Sequence, residues 1–312
     1  MTHPGVLYPK MTVIGCGLIG GSIIRAARAQ GIVGEVTVAD ASAFTRARVA
    51  ELGLAEHVTE DIAEAVKDAD LVVIATPVLS TAAVAAAVAP ALKAGATLTD
   101  VGSTKASVVE AFAAQSLDHV FVIPGHPIAG TEQSGPDAGF AELFEDRWTI
   151  LTPQRRDDEA YAAAVARLSS FWRAMGAQVE LMDDKHHDLV LAVTSHLPHL
   201  IAYTIVGSAA DLENVTESEV IKFSASGFRD FTRIAASDPT MWRDIFIANK
   251  DAVLEMLGRF TEDLQAMSRA IRWGDADTLH SHFTRTRAIR RGIVAAGQES
   301  AEPNFGRDRG KH

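Results

Sequence analysis

Cysteine is almost absent. Cys16 stands alone among 312 residues, which excludes an intrachain disulfide and the stapled scaffold of a small secreted domain. Positive charge is also short: 29 Lys and Arg against 40 Asp and Glu leave a formal net charge of −11. That balance repels nucleic acid and anionic membrane, and no basic stripe overrides it. Uninterrupted apolar runs are missing. Val190–Ala202 is broken by Ser195, His196 and His199, short of the roughly 20 apolar residues that span a bilayer. The first ten residues hold one Lys and no apolar signal-peptide core. A cytoplasmic protein without nucleic-acid or membrane partners is therefore expected.

With 47% hydrophobic residues and too little Pro and Gly for low complexity, the chain reads as globular and long enough for two ordinary domains. Met11–Gly15, Val36–Asp40, Leu71–Ala75, Thr97–Val101, Val120–Pro124 and Trp148–Leu151 are short β-branched runs separated by Ala-rich helical stretches. Several are apolar throughout, as strands are when helices cover both faces of a sheet. The pattern predicts an α/β first domain, a Rossmann-type doubly wound and mostly parallel sheet. A helix over Asp157–Met175 and a strand over Gln178–Met182 close it near residue 183. Strand signals then stop, and helices are expected at about 185–212, 217–224, 238–248, 249–272 and 276–295, punctuated by Gly227, Pro239 and Gly274. The expected division is 1–183, an all-α domain over 184–296, and a polar tail over 297–312 without fixed structure.

Val13 to Gly20 follows the first strand and opens a helix, placing Gly15, Gly17 and Gly20 in a G-x-G-x-x-G loop. Gly15 permits the tight turn, Gly17 lets backbone approach a pyrophosphate, and Gly20 allows close helix–strand packing. Leu18 and Ile19 begin the helix whose N-terminus faces that anion. Asp40 ends the second strand, where a carboxylate accepts from ribose hydroxyls and repels a 2′-phosphate, so NAD is expected rather than NADP. Arg46 and Arg48 follow closely and soften that preference. Thr76 and Pro77, directly after the third strand, line the same cofactor by position. Cys16, inside the loop, reads as a small inert side chain.

Ligands in such sheets sit at the carboxyl ends of strands, which draws attention to Asp100–Lys105 and Gly125–Glu132. Ser103 reads either as a reactive-end hydroxyl or as an N-cap for the helix beginning near Lys105. Pro127 forces His126 onto extended backbone, and a histidine there can take a hydroxyl proton as hydride leaves the same carbon. Ser195 and His199 share one helix face, and Pro198 leaves the Thr194 carbonyl without its helical donor, a kink that something local uses. A metal site that adds His186 and His187 to His196 and His199 is not expected, because on one ideal helix His187 lies about 180° from His196 and about 120° from His199. Arg229 and Arg233 stand one turn apart on an acidic chain, suited to an anionic substrate or to a solvated ion-paired face.

These blocks together resemble the prephenate/arogenate dehydrogenase family: Gly15-x-Gly17-x-x-Gly20, Asp100-Val101-Gly102-Ser103-x-Lys105, Gly125-His126-Pro127-Ile128-Ala129-Gly130-Thr131-Glu132, Ser195-His196-Leu197-Pro198-His199 and Gly227-Phe228-Arg229-Asp230-x-Thr232-Arg233-Ile234-Ala235. The likeness runs from about residue 11 to 290. It implies oxidative decarboxylation of prephenate or arogenate, with His126 as base for the ring hydroxyl and Ser103 assisting. It also implies that Arg233 binds the ring carboxylate, with His199, Ser195, His196, Thr131 and Trp242 around the substrate, and that the helical domain forms a homodimer. A β-hydroxyacid dehydrogenase would need a helical lysine base in a glycine–lysine motif, and Lys185, Lys222 and Lys250 lack that context. A non-enzymatic NAD-binding regulator accounts for the glycine loop but not for His126, Ser103 and Arg233 together.

Overall fold

The computed structural model describes residues 5–131, 133–216 and 226–295. The helix expected at 217–224, the tail over 297–312 and Glu132 lie outside the described residues. Nine strands occur there: β1 (Tyr8–Ile14), β2 (Val33–Ala39), β3 (His57–Thr59), β4 (Leu71–Ile74), β5 (Thr97–Asp100), β6 (Phe121–Val122), β7 (Gly125–Pro127), β8 (Trp148–Leu151) and β9 (Gln178–Leu181). Helices α1 (Leu18–Ala29), α2 (Ala43–Glu51), α3 (Ile62–Val66), α4 (Thr81–Val88), α5 (Ala106–Ala113) and α6 (Glu159–Ala174) alternate with them. Beyond come α7 (Asp184–Leu191), α8 (Leu197–Thr216), α9 (Ser226–Thr232), α10 (Pro239–Ala248), α11 (Lys250–Trp273) and α12 (Ala276–Ala295).

The first six strands form a parallel sheet in the order β3-β2-β1-β4-β5-β6. Alternate residues feed two apolar layers: Val13 and Val73 join Ile23, Ala27, Phe171 and Trp172, while Ile14, Val72 and Ile74 join Val66, Val88 and Phe112 on the other face. That period of two is why these strands are apolar throughout. The chain winds outward through β2 and β3, then returns to β4 beside β1, so a crevice opens at the carboxyl ends of β1 and β4. Ile14, Ile74 and Asp100 lie in register along that edge.

Two expectations change. The strand over Trp148–Leu151 does not join the parallel sheet; β8 pairs antiparallel with β7 and parallel with β9 in a separate three-stranded sheet. The sixth place goes to β3, three residues with an exposed His57 and no apolar run to announce them. The expected fifth strand is also split, because Pro124 offers no N–H to a ladder, and the chain re-pairs as β7 with His126 opposite Ile150.

Contacts divide the chain into a compact unit of Met1–Leu254 and a second unit of Glu255–His312, the break falling within α11. Helices from residue 184 to 254 stay with the sheet because Asp188 of α7 accepts hydrogen bonds from Lys105 N at 2.7 Å and Ala106 N at 2.9 Å. Residues Asp184–Asp211 include an 18-residue window of mean hydropathy 1.6, so the helix is long and apolar enough to cross a membrane, contrary to the expectation drawn from its polar interruptions. Of the interruptions, His196 is inaccessible while Ser195 and His199 are half-buried, and His187 and Asp188 at the start of the segment are buried as well.

Candidate active site

The glycine loop is built for close backbone approach. Gly15 has φ +88°, and a Cβ there would lie 2.8 Å from the Ala75 carbonyl oxygen; one on Gly20 would lie 2.3 Å from the Gly15 oxygen. At Gly17 a Cβ would meet nothing within 4 Å, leaving a free cradle beside the N-terminus of α1. Neither a side-chain cap nor an acid occupies that first turn, so its N–H groups are available to an anion. Asp40 reaches over the loop, its carboxylate accepting from Cys16 N at 2.9 Å and Ser42 N at 2.8 Å. Thr76, beside Gly15, keeps a buried hydroxyl without a hydrogen-bond partner among the described residues. Leu18 is buried and Ile19 half-buried at the start of α1, and Pro77 is exposed at the end of β4.

Arg46 and Arg48 are already committed. Arg46 donates to the carbonyls of Asp40 and Ala41 and to Glu60, while Arg48 grips Asp137 and Glu51. Cys16 is fully buried, and burial, followed by the Asp40 charge, pushes its thiol up to about 12, so it is inert.

Around His126 the groups are buried and non-local. Asp100 and Lys105 form an ion pair shielded from solvent. Such a pair contributes little net stability, yet it holds both backbone groups of the residue before His126: Lys105 Nζ donates to the Gly125 carbonyl at 2.7 Å and Gly125 N donates to Asp100 at 3.1 Å. Asp188 takes the N-cap role for α5 through Lys105 N and Ala106 N. The half-buried Ser103 is therefore not that cap, and its hydroxyl makes no hydrogen bond among the described residues.

The proton positions follow from donors and acceptors. His187 Nδ1 lies 2.8 Å from the Asp188 carboxylate, which only accepts, so Nδ1 carries the proton. Burial foremost lowers the His187 pKa, so the ring is neutral and its Nε2 is an acceptor. His126 Nδ1, 2.9 Å from that Nε2, must donate, which leaves Nε2 of His126 as a lone pair. Burial, then the neighbouring His187 and Lys105, hold the His126 pKa well below the ordinary imidazole value. His126 is thus a neutral acceptor at neutral pH.

The second wall comes from the helical residues. Between α7 and α8 the segment Ala192–His196 is a π-turn, with Leu197 N bonded to the Ala192 carbonyl. The expected kink is real, but the carbonyl that is used belongs to Ser195, which accepts from His199 Nδ1 at 2.8 Å. The π-turn also changes the angle per residue across this segment, so an ideal wheel does not apply between His187 and His196. His199 stacks on Trp242 at 3.7 Å between centroids, and His196 meets the same indole edge-on at 6.0 Å. Burial first, and the charge of Arg233 as well, lower the pKa of His199, so the exposed Arg233 lies within electrostatic range of that ring. Arg243 is paired with Asp244 instead. Ser195 is half-buried within the π-turn, whereas Thr131 lies in the exposed loop after β7 with its hydroxyl accepting from Gln133 N. No hydrogen bond joins Thr131 to the histidines among the described residues.

His187, Asp188, Lys105, Asp100 and Asn249 escaped the sequence reading as site residues. The usable signal was the His187–Asp188 doublet, a charge with no solvent-facing reason at the start of an apolar helix.

Residues 23–181 match the family described as prephenate dehydrogenase, nucleotide-binding domain, and residues 183–285 match prephenate dehydrogenase, dimerization domain. A cyclohexadienyl dehydrogenase of Zymomonas mobilis is 43% identical over 91% of this chain and 96% of its own. The prephenate dehydrogenase of Bacillus subtilis is 34% identical over 93% of this chain and 77% of its own. Among solved structures, prephenate dehydrogenase from Aquifex aeolicus in complex with hydroxyphenyl propionate and NAD+ superposes with TM-score 0.81 at 31% identity, over 91% of this chain and 98% of that one. The open Gly17 cradle, the uncapped α1 terminus and Asp40 fit NAD, the dinucleotide in the Aquifex aeolicus complex. The chain belongs to the prephenate dehydrogenase family.

Proposed function

We propose that this enzyme oxidises and decarboxylates prephenate to 4-hydroxyphenylpyruvate, a step of tyrosine biosynthesis. The observation that supports it most is the Asp188–His187–His126 chain, which leaves a neutral imidazole lone pair at the carboxyl edge of the sheet. Bound NAD supplies the hydride acceptor. His126 Nε2 takes the ring-hydroxyl proton, and the imidazolium that forms is stabilised through His187 by the Asp188 carboxylate. The free Ser103 hydroxyl assists beside it. Arg233 holds the ring carboxylate until it leaves as carbon dioxide, and His199 stacked on Trp242 forms an apolar wall against the ring. Ser195 and His196 complete that wall, and Thr131 is assigned to the rim.

A second substrate is favoured by one finding. The relative at 43% identity is named for the cyclohexadienyl ring and not for a side chain, and arogenate differs from prephenate only by an amino in place of a keto group there. Steady-state NADH formation with each substrate, using NAD and NADP, decides between them. Turnover of prephenate with NAD is expected, and its absence with both substrates removes the assignment. An Arg233→Ala variant should chiefly raise the Michaelis constant for substrate.

The helical region is proposed to form a homodimer in the cytoplasm. In the unit Glu255–His312, Leu264, Ile271, Trp273, Phe283 and Ile289 are each more than half exposed, an apolar area of the kind that partners cover. Light scattering should return twice the 33.3 kDa chain mass.

A further inference from the structure

No sequence motif points to Asn249. It stands between α10 and α11, 5% exposed. Its Nδ2 lies 2.9 Å from the Asp188 carbonyl oxygen and 3.1 Å from His196 Nδ1. A carbonyl oxygen only accepts, so the amide must present its NH2 there; the flipped amide would set oxygen against oxygen. The same NH2 faces His196 Nδ1, which must then be an acceptor.

Burial pushes the pKa of His196 down to about 4, so the ring is neutral at neutral pH and its one proton sits on Nε2. That nitrogen is fully buried and has no hydrogen-bond partner among the described residues. The neighbouring Trp242 Nε1 is a second buried donor in the same condition, the two ring centroids 6.0 Å apart. A buried N–H left without an acceptor is costly, and a ligand oxygen reaching it removes that cost.

We propose that Asn249 is a positioning residue that fixes His196 as the Nε2–H tautomer, making it a neutral hydrogen-bond donor to an oxygen of the bound substrate. His126 and His196 then hold opposite roles at Nε2, acceptor and donor, and an oxyacid carrying a hydroxyl needs both. The inference rests on the dehydrogenase reading only for the identity of the ligand; the tautomer stands on the geometry of Asn249.

The test joins a spectroscopic and a kinetic measurement on the full-length protein. Selective nitrogen-15 labelling of histidine, read by long-range proton–nitrogen correlation, should show His196 protonated at Nε2. In Asn249→Asp the new carboxylate accepts from Nδ1, so the proton should move to that nitrogen. The Michaelis constant for prephenate or arogenate should then rise about 10-fold to 100-fold, as for loss of one good hydrogen bond to an anion, with that for NAD unchanged. Should Asn249→Asp fold poorly, His196→Gln, which keeps a neutral N–H donor, is expected to bind substrate within a few-fold of wild type, and His196→Leu is not. Wild-type His196 protonated at Nδ1, a reversed tautomer with an unchanged Michaelis constant, or wild-type affinity in His196→Leu would each overturn the proposal. A wild-type enzyme that forms no NADH with either substrate instead defeats the activity assignment, and the tautomer measurement still reads the role of Asn249 separately.

Discussion

Gly15, Gly17 and Gly20 assemble a cofactor cradle within six residues of sequence, whereas the histidine cluster gathers Asp100, Lys105, His126, His187, Asp188, His196 and Asn249 from two strands, one helix and three turns. The cradle is backbone, open, and needs only small residues at the right spacing. The cluster is side chain, buried, and works only if each proton lies on the intended nitrogen. A change in the first should alter one affinity; a change in the second should travel through several partners.

The largest effect should come from removing the base. His126→Asn keeps a polar group of similar reach but no imidazole, and turnover should fall roughly 10²–10⁴-fold while NAD affinity, measured by fluorescence titration, stays near wild type. Equal losses in both would erase the distinction between the two centres.

Acid should act on the cluster and spare the cradle. The folded-state pKa of His196 is lowered from 6.5 to about 4 by burial, so the unfolded chain takes up its proton first as pH falls. The stability contributed by the neutral ring is therefore full above pH 6.5 and lost progressively down to about 4, on the order of 3 kcal/mol for this one group. Urea midpoints at pH 7 and pH 4.5 should differ less in His196→Gln than in wild type. Asp188→Asn is expected to cost about 2 kcal/mol at neutral pH, because its amide NH2 would oppose one of the N–H groups that the carboxylate now accepts. Turnover should fall with it, since the carboxylate charge that stabilises the imidazolium through His187 is removed.

That contrast also explains which features could be read from sequence. The strands with continuous apolar runs, the glycine loop, Asp40 and the position of His126 rest on local spacing, and local spacing is what a sequence displays. β3 and β7 have three residues each and no periodicity, so only pairing defines them. The N-cap of α5 could not be assigned locally, because the cap arrives from Asp188, 83 positions away. Helical-wheel reasoning between His187 and His196 assumed an ideal helix, and the π-turn at Ala192–His196 removes that premise. Asn249 carries no signal at all until its two acceptors are seen on one nitrogen.

Asp40 gives the smallest and most local change. Its carboxylate spans Cys16 N and Ser42 N, and the two arginines that could have received a 2′-phosphate are held by Glu60, Asp137, Glu51 and backbone carbonyls. Asp40→Asn preserves an acceptor for Cys16 N but removes the charge, so the Michaelis constant for NAD should rise about tenfold, the loss of one charge-assisted hydrogen bond. NADP should be used better than before, because its phosphate no longer meets a like charge. Turnover at saturating NAD should not move, since no hydrogen bond among the described residues runs from Asp40 to the histidines. If NAD and NADP responded alike, Asp40 would be a strut for the loop, and the cradle's selectivity would have to lie elsewhere.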